Sequence, residues 1–446
     1  MDDETEHGIW LCALELEKKR YKPVHVSRLS GYAGRLLLVV FLSASQAHLA
    51  QADDGELARV QAQLYSGKLS EARKSAEAWV QAQPANQTAK FAFASTGFFQ
   101  AVEKLGQDFH KYGLRSVWTD PSGGMSGVPF LRLPVPQNLN PERASYEAIR
   151  TVLSEFNSRL QTVDAELSGI ELNDSIDYPL DLKQVRLDFK GGGSQEGLEP
   201  LWLVFQRITA MRPPEGESPN LIVNFDAADV VWLRGYTHLL SAITDFLLAH
   251  DWHKGFDTAL HNIFPRSNPE FLRLLTKQKS RADFELGGIA DLVAFVHLAN
   301  WPVVEPERMR SCLRHLETMV DLSRKNWELI QAETDDRNEW VPSPRQTAAL
   351  GGVRVPEERV KAWQGFLDEF DALLQGKKLI PHYRFDKGIN LRRFFLEPTA
   401  FDPILLIQGS AAVPYLENGE MTSPETWNQI MQLFEGNFFT YFIWFN

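Results

Sequence analysis

The stretch NFDAADVVWLRGYTHLLSAITDFLLAH, residues Asn224–His250, carries apolar side chains at helical spacing. The positions that form the pattern are Val230, Leu233, Tyr236, Leu239, Leu240, Ile243, Phe246 and Leu247. Because an α-helix completes a turn every 3.6 residues, this spacing predicts a core-forming helix. The pattern runs from Asp226 to Leu260, and a break is expected near His250 and Asp251.

Other segments repeat this periodicity on both sides of the central stretch. Arg143–Leu167 places seven apolar residues on one stripe, which indicates an amphipathic helix. Further helices are predicted at Trp202–Met211, Gly287–Ala299, Pro306–Glu333, Glu357–Leu374 and Pro424–Phe442. Short strands are expected only around Leu379–Phe385 and Arg393–Leu396. The chain is therefore predicted to be mainly α, with a larger irregular helical body over residues 142–446.

The region from Glu56 to Leu114 has the pattern of a helix, a turn and a helix. Within it, GKLSEARKSAEAWVQAQPAN (Gly67–Asn86) resembles a tetratricopeptide repeat. The matching positions are Gly67, Leu69, Ala72, Ala76, Pro84 and Asn86. The resemblance implies a helical hairpin over residues 53–117 with a protein-interaction surface. Residues 118–141 are rich in Gly, Pro and Ser and are expected to form a linker or a long ordered loop.

The N-terminal region has the features of a secretory signal peptide. Arg28 and Arg35 precede the apolar run Leu36–Ala50, and small residues follow at Ala50 and Ala52. The run is shorter than the roughly 20 residues that a transmembrane helix needs. Cleavage is expected after Ala52, with residues 1–52 as the leader and a periplasmic or secreted mature protein. A start codon assigned too far upstream explains the acidic opening of the leader, and a tethered leader is the alternative.

The composition limits the classes of partner. With 446 residues, 44% of them hydrophobic, the chain can bury a large core. Its net charge of −12 argues against nucleic acid or an anionic membrane surface as the main partner. Cleavage would leave Cys312 as the only thiol, so no disulfide is expected. Cys312 is predicted to be a buried core residue.

The stretch LDFKGGGSQEGLEPLW, residues Leu187–Trp202, resembles the twelve-residue calcium loop of the EF-hand family. Counting from Asp188, Gly193 stands at the bend, Glu196 ninth and Glu199 twelfth. The resemblance implies flanking helices at Leu180–Leu187 and Leu198–Ile208. However, Lys190 and Gly192 replace two oxygen ligands, so a degenerate loop is predicted, with calcium binding weak at best through Asp188, Glu196 and Glu199. No other cofactor is expected.

Four histidines lie close together in GYTHLLSAITDFLLAHDWHKGFDTALHN, residues Gly235–Asn262. His250 and His253 are three positions apart, so they can share a helix face, and His261 or Asp257 supplies a further ligand for zinc. The HExxH arrangement is absent. Surface or hydrogen-bonded core positions are the alternative to a zinc site.

Two acids and one base begin the central helix. Asp226 or Asp229 is expected to cap the free backbone N–H groups, and Arg234 to pair with one of them. The alternative function for the two carboxylates is acid–base catalysis. The aromatic tail Asn437–Asn446 is predicted to pack in the core, with a membrane-contacting tail as the alternative.

The sequence favours an exported, non-catalytic binding or scaffolding protein that holds a protein partner through helix faces. The alternative is a hydrolase that uses carboxylates or a bound metal, with its site around residues 226–261.

Overall fold

A computed structural model describes residues 53–116, 129–209, 221–274, 281–350 and 354–423, together with residues 427, 428, 432, 442, 444 and 445. The predicted signal peptide, residues 1–52, lies outside this part of the chain. So does almost all of the predicted helix Pro424–Phe442. Residues Gly55–Asn446 form one compact unit.

The fold is mainly α, as predicted, and the central stretch forms its middle. The helices are α1 (53–65), α2 (Leu69–Ala82), α3 (Gln87–Lys111), α4 (Tyr146–Ser168), α5 (Leu201–Thr209), α6 (Ala227–Ala249), α7 (His253–Ala259), α8 (Pro269–Leu274), α9 (Arg281–His297), α10 (Pro306–Ala332), α11 (Glu357–Leu374), α12 (Leu391–Leu396) and α13 (Pro403–Gln408). The predicted break between α6 and α7 falls at His250–Trp252, which confirms the expectation from the sequence.

The long helices pack in chain order. Among the described residues, α6 and α10 make the most extensive helix contact. In turn α4 packs on α6, α3 on α4, α2 on α3, and α11 on α10. Cys312 is buried in this core, as predicted. No helix of the described part is long and apolar enough to cross a membrane.

Side-chain caps fix where the long helices begin. The carboxylate of Asp226 accepts a hydrogen bond from Ala228 N at 2.7 Å, and that of Asp229 accepts one from Asp226 N at 3.0 Å. This reciprocal capping box confirms the predicted capping role of these acids. Ser145 caps α4 in a similar way, and Asn86 caps α3.

The N-terminal region contains three helices where the sequence predicts two. Gly67, with φ +74°, turns the chain between α1 and α2, and a Cβ there would lie 2.7 Å from Leu198. Pro84 ends the second helical pattern, and Asn86 then starts α3. The small residues Ala72 and Ala76 are fully buried, which allows their helix to approach its neighbours closely.

The strands are short, and the predictions for them are largely wrong. Four antiparallel pairs occur in the described residues: β1 (Tyr178–Asp181) with β4 (Ile222–Phe225), β2 (Arg186–Asp188) with β3 (Leu198–Pro200), β5 (Trp301–Pro302) with β7 (Ala400–Phe401), and β6 (Gly388–Ile389) with β8 (Leu416–Glu417). Arg393–Leu396 belongs to α12, because Asn390 caps a helix there. Leu379 and Ile380 form only isolated bridges. Strands of two to four residues are too short to show alternation.

Part of the predicted linker is ordered. Pro129–Arg132 forms a short 3-10 turn, and Phe130, Leu133 and Val135 are buried in the core. Of the two alternatives for residues 118–141, an ordered loop therefore describes 129–141, while 117–128 lie outside the described residues.

Candidate functional site

Three carboxyl groups meet where α6 begins and α10 ends. The two helices run antiparallel, since Arg308 near the start of α10 lies 2.9 Å from Asp245 near the end of α6. This arrangement brings Asp226 next to Glu333, the residue after α10, and Glu339 in the following loop. One oxygen of each of the three residues lies within 4.8 Å of the others. We refer to Asp226, Asp229, Glu333 and Glu339 as the acidic cluster.

Hydrogen bonds from neutral groups hold the acidic cluster in place. Glu339 accepts from Arg337 N at 2.8 Å, and Glu333 accepts from the Gln346 side chain at 2.8 Å. In the described part of the chain, no Lys or Arg side chain forms an ion pair with the cluster. In the described residues the cluster therefore has no directly paired cation, and the charge of Arg337 acts on Glu339 only at longer range.

Burial makes these carboxyl groups hard to ionise. It raises the pKa of Glu333 to about 8, and the charge of Asp226 acts in the same direction. Burial likewise raises the pKa of Glu339 to about 7. The pKa of Asp229 is raised well above its ordinary value by burial, and further by Asp226. The cluster can therefore hold protons at neutral pH, and its oxygen ligands suit a hard divalent cation.

Sequence reasoning finds only half of this cluster. Asp226 and Asp229 are expected at the helix start, but Glu333 and Glu339 are about a hundred positions away and reach them through the α6–α10 packing. The expected partner of Arg234 is wrong. Its Nε lies 2.9 Å from Asp164 on α4, because the side chain leaves α6 on the face that packs against α4.

The histidines of the zinc hypothesis have separate partners. His250 is buried with its Nδ1 2.7 Å from Phe246 O. His253 stacks on the ring of Tyr146 and lies 3.3 Å from Asp257. His261 lies 3.3 Å from Asp291.

In the described part of the chain, the side chains whose possible metal-binding atoms all lie within 4.8 Å of one another are those of Asp226, Glu333 and Glu339. Zinc binding by His250, His253 and His261 stays a prediction.

The loop that resembles an EF-hand connects two strands. The expected entering helix at Leu180–Leu187 is wrong, because β1, a turn and β2 occupy that segment. The exiting helix is present as α5 but begins at Leu201, because Leu198–Pro200 forms β3. The carboxylate of Asp188 accepts hydrogen bonds from three backbone N–H groups, those of Lys190 (3.1 Å), Gly191 (2.9 Å) and Gly193 (2.7 Å).

The other two acids of this loop have different surroundings. Glu196 is highly exposed and pairs with Lys190 at 3.1 Å. Glu199 is partly buried, which raises its pKa, while the charges of Arg186 and Arg207 oppose that shift. Calcium binding through Asp188, Glu196 and Glu199 stays a prediction.

Helix α9 turns an apolar face to solvent. Its inner side packs on α7, where Phe295 faces Gly255 and Asp291 accepts a hydrogen bond from the Asn262 side chain at 2.6 Å. Its opposite side carries large apolar residues at helical spacing, with exposures of 68%, 60%, 61% and 40% for Leu286, Ile289, Val293 and Val296. We call these four residues the α9 outer face. Exposed apolar residues that share one helix face form a candidate interaction surface.

The chain matches no protein-family model, and no curated protein or solved structure is significantly similar to it. The acidic cluster and the α9 outer face are therefore the features of this chain that indicate a function.

Proposed function

We propose that the protein is an exported, non-catalytic binding protein that holds a protein partner through helix faces. The observation that carries this proposal is the α9 outer face. In a helix at the surface of a protein, the apolar stripe normally faces the core and the polar side faces water. Helix α9 carries apolar residues on both sides, because Phe295 packs inward near Gly255 while Ile289 and Val293 are exposed.

The geometry of this face defines the partner's chemistry. Leu286 to Val296 spans ten residues, which corresponds to a stripe about 15 Å long at 1.5 Å per residue. A stripe of this kind fits the apolar face of an amphipathic helix on another protein. Because the chain has a net charge of −12, a partner with an anionic surface gains no electrostatic attraction to this protein.

The predicted signal peptide and the N-terminal helices are consistent with the same proposal. The pattern of residues 1–52 supports export to the periplasm or the exterior, with cleavage after Ala52. The tetratricopeptide-like positions in Gly67–Asn86 support a second role in protein binding, since that repeat is an interaction module. The degenerate calcium loop at 188–199 is proposed to be a structural element with weak calcium affinity at best.

Site-specific photo-crosslinking tests the α9 outer face. A benzophenone amino acid at position 289 is expected to capture one discrete protein in native cells, and Val293→Glu is expected to abolish that product. The matched control carries the same photo-crosslinker at position 139, because Leu139 is also highly exposed but lies outside the face. Equal products at positions 289 and 139, or none at 289, would contradict the proposal. A crosslinked homodimer would show that the partner on this face is a second copy of the chain and not a different protein.

A second candidate function is a metal-dependent hydrolase, and the acidic cluster favours it. Three carboxylate oxygens within 4.8 Å of one another can bind a divalent cation that activates water. Elemental analysis of the purified protein should then find near-stoichiometric metal, and Glu339→Gln should remove it. Glu328→Gln is the matched control, since Glu328 is an exposed residue of α10. Metal-free protein with full stability would eliminate this candidate.

A further inference from the structure

An apolar cavity, partly open to the outside, lies where α3, α4, α5 and α6 meet. Its volume is about 100 Å³, and its wall is built mainly from aromatic and aliphatic side chains. Phe98, Phe156, Val204, Trp232 and Tyr236 contribute from the four helices. The cavity is separate from the α9 outer face, so a ligand in the cavity is independent of the proposed function.

Several polar atoms of the wall are bonded to other groups of the protein, whereas Tyr178 Oη and Trp340 Nε1 are buried without a hydrogen-bond partner in the described residues. Ser95 Oγ donates to Ala92 O of its own helix at 3.1 Å. The Asp229 carboxylate accepts from Asp226 N, and Trp232 Nε1 donates to Trp444 O at 2.8 Å. Almost no polar atom of the wall faces the space, so the surface that an occupant meets is apolar. Such a surface does not hold water well, because a buried water needs two to four polar partners.

The wall is rigid enough to keep the space open. Trp232 stacks on Tyr236 with ring centroids 5.4 Å apart, and Tyr236 meets Phe98 edge to face at 5.9 Å. Trp340 packs against Trp232 at 5.5 Å. Each ring is held by the next, so the side chains cannot move into the cavity without breaking these contacts.

We propose that this cavity is a binding site for a small apolar molecule, of the size of one aromatic ring or a short alkyl chain. The size follows from the volume, since dry apolar cavities of about 150 Å³ in proteins bind benzene or xenon. The class follows from the wall, which offers extensive aromatic contact and no free charge in the described residues. Such a ligand replaces contacts that the wall residues lack when the space is empty.

Benzene and xenon are the probes that test this site in the full-length protein. Benzene is expected to raise Tm in a saturable way, and a crystal under xenon pressure is expected to show one xenon atom between Trp232 and Phe156. Dioxane, a polar ring of similar size, should leave Tm unchanged.

Two variants separate the cavity from general effects on the core. Val204→Phe directs a larger side chain into the cavity and should abolish the benzene response, because Val204 lines the wall. Val163→Leu enlarges a buried residue of α4 that does not line the cavity, and should keep the response. If wild-type protein shows neither a Tm shift with benzene nor xenon density, the proposal is wrong. The xenon result decides the matter even if Val204→Phe fails to fold.

Discussion

The Nδ1 atoms of His238 and His315 lie 2.7 Å apart, which joins α6 to α10 by one imidazole–imidazole hydrogen bond. Such a bond needs one donor and one acceptor. One Nδ1 atom therefore carries a proton, and the other does not. Asp245 lies 3.7 Å from Nε2 of His315, and Asp164 lies 3.3 Å from Nε2 of His238. A proton on Nε2 of His315 leaves its Nδ1 as the acceptor.

We expect this pair to make the protein less stable in mild acid. Burial, followed by the charge of His238, lowers the pKa of His315 from 6.5 to about 4. The unfolded state therefore binds more protons than the folded state between pH 6.5 and pH 4, and the free energy of unfolding falls as the pH falls through that window. The loss is about 1–2 kcal/mol after allowance for partial exposure.

Denaturant titrations at several pH values check this expectation. In His315→Gln the part of the slope between pH 6.5 and pH 4 should disappear. The matched control is His253→Gln, because His253 is about half exposed and should leave the slope unchanged. Identical slopes in wild type and His315→Gln would show that another group causes the acid sensitivity.

A second prediction concerns Glu333, whose ionisation makes the protein less stable as the pH rises. Its pKa is raised to about 8, so the folded state binds more protons than the unfolded state above pH 4.5. Stability from this group is present at low pH and is lost as the pH rises toward 8. Glu333→Gln mimics the protonated form, and we expect it to stabilise the protein by about 1–2 kcal/mol at pH 9, with little effect at pH 4.

The measurement is thermal or urea unfolding in the presence of a chelator, so that bound metal does not contribute. The control is Glu328→Gln in the last turns of α10, where the carboxylate is exposed and paired with Lys325. A loss of stability at pH 9 in Glu333→Gln would mean that the ionised carboxylate, rather than the protonated one, is favoured in the folded state.

The His238–His315 pair and the acidic cluster show which features of this protein can be predicted from its sequence. Helix α11 is predicted with its observed bounds, and the α6–α7 break within two residues, because long amphipathic segments carry their periodicity locally. The contacts of His238 with His315, and of Asp226 with Glu333, depend on the α6–α10 packing, which joins positions far apart in the chain. No local pattern contains that information. The short strand pairs are not predicted for a different reason. Strands such as β5 and β7 are only two residues long.

A third prediction concerns the aromatic tail, which packs in the core at its described positions. Trp444 and Phe445 are almost fully buried, as predicted from the sequence. The carbonyl of Phe445 accepts from Ser323 Oγ and Trp327 Nε1, both at 3.3 Å. Phe445→Ala should therefore cost about 3–5 kcal/mol of unfolding free energy. Ile407→Ala at an exposed position should cost well under about 1 kcal/mol. Equal losses in chemical denaturation would place Phe445 outside the cooperative core.

The last prediction concerns the loop between β2 and β3, which hydrogen bonds hold on α3. Asp188 N donates to Glu103 at 2.8 Å, and Gln107 donates to Asp188 O at 2.9 Å. At Gly106 a Cβ would come within 2.2 Å of the Phe189 ring, so only glycine lets the hairpin approach this closely. With both carboxylate oxygens of Asp188 bonded to backbone N–H groups, a calcium ion would have to displace three hydrogen bonds.

We therefore expect millimolar calcium to leave both Tm and Trp202 fluorescence unchanged. Asp188→Ala should lower the free energy of unfolding by about 1–3 kcal/mol, because it leaves three N–H groups without their acceptor. Glu196→Ala is the control, since Glu196 is exposed and forms an ion pair with Lys190. If calcium raises Tm in wild type and Asp188→Ala abolishes the increase, the loop binds the ion and its hydrogen bonds describe the ion-free state.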